Sequence, residues 1–484
     1  MKNIRILSID FMMAGGCLLA GTAHPQSSQK LLLKGDLVYQ GAFRVPEAGF
    51  DVGGTALVYN HEGKTLYAAA RNQQYAEITV PEIVNSTKIS SLKTASFVQK
   101  FADVTEGKLE TINPGDPNGK SIGGGLVFNS QLILSGWAYY DANGSQVKSH
   151  FASSMTLATK GDLKGPYQVG TVGAGFVSGY MGLIPTEWQP SFEGPAITGQ
   201  CCIPIISRTS SGPALSVFNP GDIGKANTVP ANPLVYYDLQ HETLGKYGAS
   251  GKNMVFNGAS SVNGVVFASG TRTVLFIGSH GIGEWCYGEG ATCGDKADGS
   301  KGNHAYPYVY QMWAYDALDL IDVKKGVKKP WDIRPYAYWT FNLPFETDDL
   351  HAIGGATYDA VNQRIFISQM HQDPGSGGSY LPVMHVFKVN AEGASTGIGG
   401  GVKRASGLSL LADKTAGGVK LSFPGAENKA VQAAIYDLSG NLITDLSPNI
   451  RHGHVDWNAS GNASGLYLIK AKVGENAITR SFSF

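Results

Sequence analysis

The chain has 484 residues, with 38 Lys and Arg against 38 Asp and Glu. That zero formal charge excludes the basic excess expected of a nucleic-acid binder or a protein held to anionic membranes. Hydrophobic residues reach 43% and charged residues only 16%, the opposite of a disordered composition, and 63 Gly, 22 Tyr and 20 Phe favour short strands joined by tight turns.

The first residues, Met1 to Arg5, are followed by an apolar run through Ala20 that closes on Gly21-Thr22-Ala23. This reads as an export signal over residues 1–23, cleaved after Ala23. Asp10 interrupts the run, and Cys17 is a poor lipoprotein acceptor because no Leu stands three positions before it. No later segment approaches the roughly 18 apolar residues of a spanning helix, so no membrane span is expected. Export leaves Cys201, Cys202, Cys286 and Cys293, an even number compatible with disulfides.

Between residues 31 and 390 a pattern recurs: a Gly-rich entry, an alternating apolar strand, a polar turn and a second strand. It starts at Gly53-Gly54, Gly123-Gly124, Gly194, Gly258 and Gly354-Gly355. Each unit is usually followed by a third strand such as Ala214 to Phe218, Val309 to Tyr315 or Met384 to Val389. Repeated antiparallel strand groups without intervening helices predict an all-β fold, a β-propeller, with a sandwich or β-helix as the alternative. Five units are visible, while blades of roughly 40–50 residues would allow seven in this length.

Polar and aromatic residues fall at strand ends or loops of these units: Arg71 and Asn72, Tyr139, Tyr140 and Asp141, His150, Tyr180, Trp188 and Arg208. Loops converging on one end of the channel are where a propeller ligand sits. Tyr and Trp stack on sugar rings, and Arg or His can hold an acidic group. Ordinary packing or a solvated turn is the competing reading for any one of them.

Cys201 and Cys202 are adjacent, either a vicinal disulfide or two buried thiols, and structural in both cases. His280, Cys286, Cys293 and His304 form a His-x5-Cys-x6-Cys-x10-His array in Gly-rich loop sequence. Two thiolates and two imidazoles make a tetrahedral zinc set with no position left open, so the expectation is one structural zinc per chain. The alternative is a Cys286–Cys293 disulfide with bystander histidines.

Residues 391–407 are rich in Gly, Ala, Ser and Thr and mark a flexible linker. Residues 408–484 then give short alternating strands around Val419 to Phe423, Ala433 to Asp437, His454 to Asn458 and Gly465 to Ala471, a small β-sandwich. The run from Ile435-Tyr436-Asp437-Leu438-Ser439-Gly440 through Val455-Asp456-Trp457-Asn458 to Ser464-Gly465-Leu466-Tyr467-Leu468-Ile469-Lys470 resembles the C-terminal sorting domains of the type IX secretion system. That resemblance implies secretion machinery as a partner and a secreted or cell-surface location in a Gram-negative bacterium.

The stretch Ser178-Gly179-Tyr180 through Gln200 to Pro204-Ile205-Ile206-Ser207-Arg208-Thr209-Ser210-Ser211-Gly212-Pro213, with Ser149-His150-Phe151 and the His/Cys array, resembles the propeller-type ulvan lyases. These are seven-bladed secreted enzymes, some with a structural zinc, that cleave uronate-containing polysaccharide by β-elimination. The reaction needs a cation or donors on the uronate carboxylate, a base for the C5 proton and an acid for the leaving O4. The resemblance implies that Arg208 neutralises the carboxylate of an anionic polysaccharide, that His150 sits beside it as acid or base, and that Tyr180 carries a proton. Asn129, Tyr140, Trp188 and Arg71 complete the expected substrate contacts.

Two positions depart from the family pattern. Asn129 stands where its acid/base His is expected, and Phe192 stands 16 residues before Arg208 where a Tyr is expected. Neither side chain moves a proton, although Asn129 can hydrogen-bond a carboxylate. The sequence therefore predicts either a lyase or a catalytically silent propeller that binds acidic glycan. A glycosidase is less attractive because the mouth loops show no evident pair of convergent carboxylates.

Overall fold

The computed structural model describes residues 26–391 and 411–483, apart from short stretches within both spans. The export signal expected over residues 1–23 and nearly all of the linker expected over 391–407 lie outside the described residues.

Five groups of four antiparallel strands follow one another along the chain. Blade one comprises Thr55–Asn60, Thr65–Ala69, Tyr75–Thr79 and Phe97–Ala102. Blade two comprises Lys120–Phe128, Gln131–Ala138, His150–Ser154 and Lys164–Val169, with Thr228–Val229 added in parallel at its edge. Met181–Leu183, Ala196–Thr198, Leu215–Phe218 and Ala231–Val235 form blade three, and Ser261–Phe267, Thr273–Gly281, Tyr308–Asp316 and Ala337–Phe341 form blade four. Blade five uses Ile353–Asp359, Arg364–Pro374 and Tyr380–Val389, and takes its outermost strand, Leu37–Arg44, from the other end of the chain, with Leu37 opposite Val389.

The first strands of the five blades stand side by side in a closed ring, and a glycine occupies every seam. A Cβ on Gly125 would meet Val58 at 2.7 Å, on Gly124 the Gly179 carbonyl at 2.1 Å, on Gly182 the Val265 carbonyl at 3.5 Å, on Gly264 the Ala356 Cβ at 2.5 Å, and on Gly355 the Leu57 nitrogen at 3.0 Å. Glycine inside a strand marks such close backbone approach. The Gly pairs at 53–54, 123–124 and 354–355, read as unit starts, are thus on or beside the seams. The fold is a β-propeller, and its blades among the described residues number five, not seven. The units exceed 40–50 residues because their connections are long, as in the segment between Gly281 and Tyr308.

Adjacent blades bury their faces against each other: Tyr67, Tyr75, Ile122 and Phe151 between blades one and two, Trp188, Phe267, Phe276 and Trp313 between three and four. The tail is a separate pair of sheets, Leu411–Thr415, Gly418–Ser422 and His454–Asn458 against Leu442–Asp445, Gln432–Tyr436, Leu466–Val473 and Asn476–Ser483, around Leu421, Ile435, Trp457 and Ile469. No helix among the described residues is long and apolar enough to cross a membrane.

Candidate functional site at the channel mouth

Because all five inner strands run the same way, their starts define one end of the channel. The connections from second to third strand and from one blade to the next open there. A cavity of about 310 Å³ occupies this mouth, within the roughly 300–1,000 Å³ typical of ligand pockets. Its wall is built from Gln73, Ser121, Trp137, Tyr180, Gln200, the Cys201–Cys202 pair, Ile203, Ser261 and Asn263, with no Asp, Glu, Lys, Arg or His on it.

Several local choices fix this wall. Asn72 and Gln73 both take left-handed backbone angles (φ 60° and 58°) at the tip of blade one, and the Gln73 Oε1 accepts the Ile122 N–H at 2.7 Å. Trp137 lies over Gly123, where a Cβ would come within 2.9 Å of its ring. Gln200 is only 6% exposed and its carboxamide has no hydrogen-bond partner among the described residues; its Oε1 rests on Gly179, at the place a Cβ would occupy. Cys201 and Cys202 are joined as a vicinal disulfide. Asn263 faces the same cavity from a bulge of the inner strand of blade four, and its Oδ1 is also unpartnered. A buried polar group without a partner costs about 1–3 kcal/mol, so the Asn263 Oδ1 on this cavity points to a ligand or water that satisfies it, with the Gln200 carboxamide on the same wall.

The residues singled out from sequence are distributed as follows. His150 is the first residue of the third strand of blade two and is 0% exposed. Its Nε2 faces the Thr198 hydroxyl at 3.0 Å, and because that hydroxyl donates to the Val177 carbonyl, Nε2 is the donor; Nδ1 then accepts from Ser149 Oγ at 2.8 Å. Burial lowers its pKa to about 3, so it is a neutral, fully bonded core histidine rather than an acid or base open to substrate. Tyr180 reaches the cavity with its ring, but its hydroxyl donates to the Ala214 carbonyl (3.0 Å) and accepts the Ala214 N–H (3.1 Å), and burial raises its pKa. It is a wall, not a proton carrier.

Asn129 takes a left-handed angle (φ 49°) in the two-residue turn between Phe128 and Gln131, at the opposite end of the inner strand from the mouth. Trp188 is 0% exposed, with its Nε1 donating to the Thr271 carbonyl at 3.0 Å; it packs on Phe192 and Phe267 and offers no face to a sugar. Phe192 is therefore a core residue. Arg71 and Tyr140 do stand on mouth loops, Tyr140 46% exposed. The Arg71 guanidinium is already held by both oxygens of Asp51. Arg208 lies beside the pocket: its guanidinium sits over Gly144 and donates to the Ala142 carbonyl at 3.2 Å, while its carbonyl and the Ile203 side chain both pack on Gly175. Its buried Nε has no hydrogen-bond partner.

The four expected zinc ligands do not converge. Cys286 and Cys293 are bonded to each other, which removes the thiolates. The His280 Nε2 donates to the Asn253 carbonyl at 2.7 Å and Nδ1 faces Ser260 Oγ at 2.8 Å, with burial lowering its pKa to about 4. His304 sits against Asp295 Oδ2 at 2.7 Å through Nδ1 and against the Ser300 and Gly288 carbonyls through Nε2. Burial works against its charge, but Asp295, the Ser300 carbonyl and Asp298 overcome it and raise the pKa. No group of three His, Cys, Asp or Glu placed to hold a metal occurs among the described residues. The donor set does not fit zinc, and the disulfide alternative describes this hairpin.

Sequence reading missed Trp137 and Gln200, and it missed a carboxylate pair. Glu346 and Asp348, in the connection from blade four to blade five, lie close enough for each to shift the other's titration. Tyr310 donates to Glu346, and His371 lies 3.5 Å from Asp348. Burial raises the Glu346 pKa; the Asp348 pKa is lowered although burial opposes this, chiefly by His371.

No protein-family model and no curated protein sequence matches the chain. Among solved structures, PorZ, a surface component of the type-IX secretion system of Porphyromonas gingivalis, aligns with 88% of this chain at 12% identity and a TM-score of 0.28; this chain spans about half (51%) of its length. A GH130-family glycoside hydrolase that targets β-1,2-mannosidic linkages in Candida mannan aligns over 74% of this chain and 96% of its own (9% identity, TM-score 0.35). The β-propeller domain of Myceliophteria thermophila Cps50 aligns over 69% and 83% (7% identity, TM-score 0.24).

Proposed function

We propose that this chain is a glycan-binding β-propeller whose ligand enters the mouth cavity, rather than a lyase. The observation that carries the reading is the buried, unpartnered Asn263 Oδ1 on the wall of a cavity that also presents the Gln200 carboxamide and the Trp137 ring. An aromatic face for the C–H side of a sugar and carboxamides for its hydroxyls are the two things a carbohydrate site needs. β-Elimination is disfavoured because neither His150 nor Tyr180 has a free group to exchange a proton, and Asn129 is at the far end. Arg208 remains the cation placed to meet an acidic substituent extending from the pocket. Delivery to the cell surface by the tail, residues 408–484, belongs to the same proposal and rests on the sorting-domain resemblance.

The test is titration of the purified protein with neutral and uronate-containing oligosaccharides, followed by tryptophan fluorescence. Binding that weakens by about 1 kcal/mol in Trp137→Ala supports the site; no binding, or binding indifferent to Trp137, removes it. A second reading, hydrolysis, has the Glu346/Asp348 pair in its favour, since environments that push two carboxyls apart create an acid and a base. Reducing-end release from any of those oligosaccharides that is lost in Glu346→Gln would establish it.

A further inference from the structure

The mouth cavity has a donor and acceptor arrangement that narrows its ligand, given that it binds glycan as proposed above. Its wall carries no charged side chain, so a uronate inside it would lose water and gain no counter-charge. An amine would do so equally, since no carboxylate faces in. What the wall does offer is a carboxamide, Gln200, and a buried acceptor without a partner, Asn263 Oδ1. Beside them lie apolar surfaces: the Cys201–Cys202 disulfide and Ile203.

One acceptor, one donor and a small apolar patch complement a secondary acetamide, whose N–H seeks an acceptor, whose carbonyl seeks a donor and whose methyl seeks apolar contact. A plain hydroxyl could use the polar atoms but would leave the disulfide and Ile203 facing water. We propose that the cavity takes an N-acetylated hexosamine unit, with the acetamide N–H on Asn263 Oδ1, its carbonyl on Gln200 Nε2 and its methyl against the vicinal disulfide and Ile203. An acidic substituent, where the glycan has one, lies outside at Arg208.

The experiment uses the full chain and the methyl glycosides of N-acetylglucosamine, N-acetylgalactosamine, glucose, galactose and glucuronic acid, compared by saturation-transfer NMR and tryptophan fluorescence. The expected result is that at least one acetamido sugar binds tenfold or more tightly than its parent hexose and that glucuronic acid binds no better than glucose. Gln200→Leu should remove that preference while leaving near-UV circular dichroism unchanged. Equal binding of acetamido and parent sugars, or a preference for glucuronic acid, overturns this inference and leaves the glycan site standing. No binding of any sugar, alone or in oligosaccharides, overturns the glycan site itself. The panel on unmodified protein decides the matter even where Gln200→Leu fails to fold.

Discussion

The two ends of the propeller channel are lined by the same five strands and differ in almost everything else. At the mouth, long connections bring in carboxamides, a tryptophan and a disulfide around a cavity of about 310 Å³. At the far end a cavity of about 410 Å³ is walled by Val58, Leu126, Met181, Val265, Phe267 and other largely apolar residues. There the chain turns back in short hairpins such as Asn129-Ser130. The strands supply a frame that is indifferent to ligand; the loops at one end supply chemistry. Residues of the same type consequently have different roles according to the end they reach: Trp137 is a wall of the mouth, whereas Trp188 fills the core on the other side.

The largest test of that contrast is Trp188→Ala. Removing a fully buried indole should cost about 3–5 kcal/mol of stability, read as a fall in Tm, with sugar affinity of the remaining folded protein unchanged. Weakened affinity in the folded fraction would show that the far end is coupled to the mouth.

Next is the blade-four hairpin. Cys286→Ser with Cys293→Ser opens an eight-residue loop, which should cost about 2 kcal/mol in the chain-entropy model. Mass spectrometry of the native protein should find the two cysteines linked, and metal analysis should find no zinc bound to this array; one zinc per chain with free thiols would reinstate the metal clasp.

A smaller effect concerns acid. His150 and His385 have pKa values lowered to about 3 by burial, against an ordinary 6.5. The unfolded chain therefore takes up protons below pH 6.5 that the folded protein refuses, so stability falls as pH drops through that range, by about 1.4 kcal/mol per pH unit for each fully buried histidine. Between pH 6.5 and 5 that is roughly 2 kcal/mol each, and His150→Gln should flatten its share in urea titrations. Sugar affinity should not follow the same curve, because no histidine lines the mouth.

The smallest effect is expected at Arg208. Half-buried and beside rather than in the cavity, it should contribute about 1 kcal/mol or less to binding of uronate-containing oligosaccharides, a contribution that salt screens. Neutral sugars should bind Arg208→Ala as they bind the parent. An equal loss for both classes would place Arg208 inside the site.

The propeller was legible because its repeat is written in glycines: Gly124 stands where backbones nearly touch and no other residue fits, and a Cβ on Gly355 would crowd the Leu57 backbone. Blade three was harder to see, since its inner strand has only three residues, Met181–Leu183, and Gly194 precedes the second strand instead. The site was much less legible. His150 and Trp188 have the residue types of a sugar site, but sequence does not tell which side of a strand faces the channel once long loops intervene. Gln200 carries no signal of its own because its significance lies in having no partner, a property that exists only when the surroundings are known. The segment Ser135-Gly136-Trp137 holds the one usable signal: Trp137 stands next to the end of its strand, opposite Ser121 and beside the Gly123 entry, which marks an aromatic on the inner rim. The His/Cys spacing fitted both zinc and a disulfide, and only the pairing of Cys286 with Cys293 separates them.

The outermost strand of blade five comes from the opposite end of the propeller segment, and Tyr39 meets His385 across 346 residues. At about 5–20 residues per second of synthesis, roughly 20–70 s pass between the emergence of these two partners from a ribosome. Throughout that interval Leu37–Arg44 lacks Tyr380–Val389, the strand it pairs with along its length, and has only the bridges of Ala42 to Val84 and Arg44 to Thr94 within reach; afterwards a long loop must be closed before the remaining contacts count. A ring sealed in this way cannot finish early: its last blade is complete only once Tyr380–Val389 has been made.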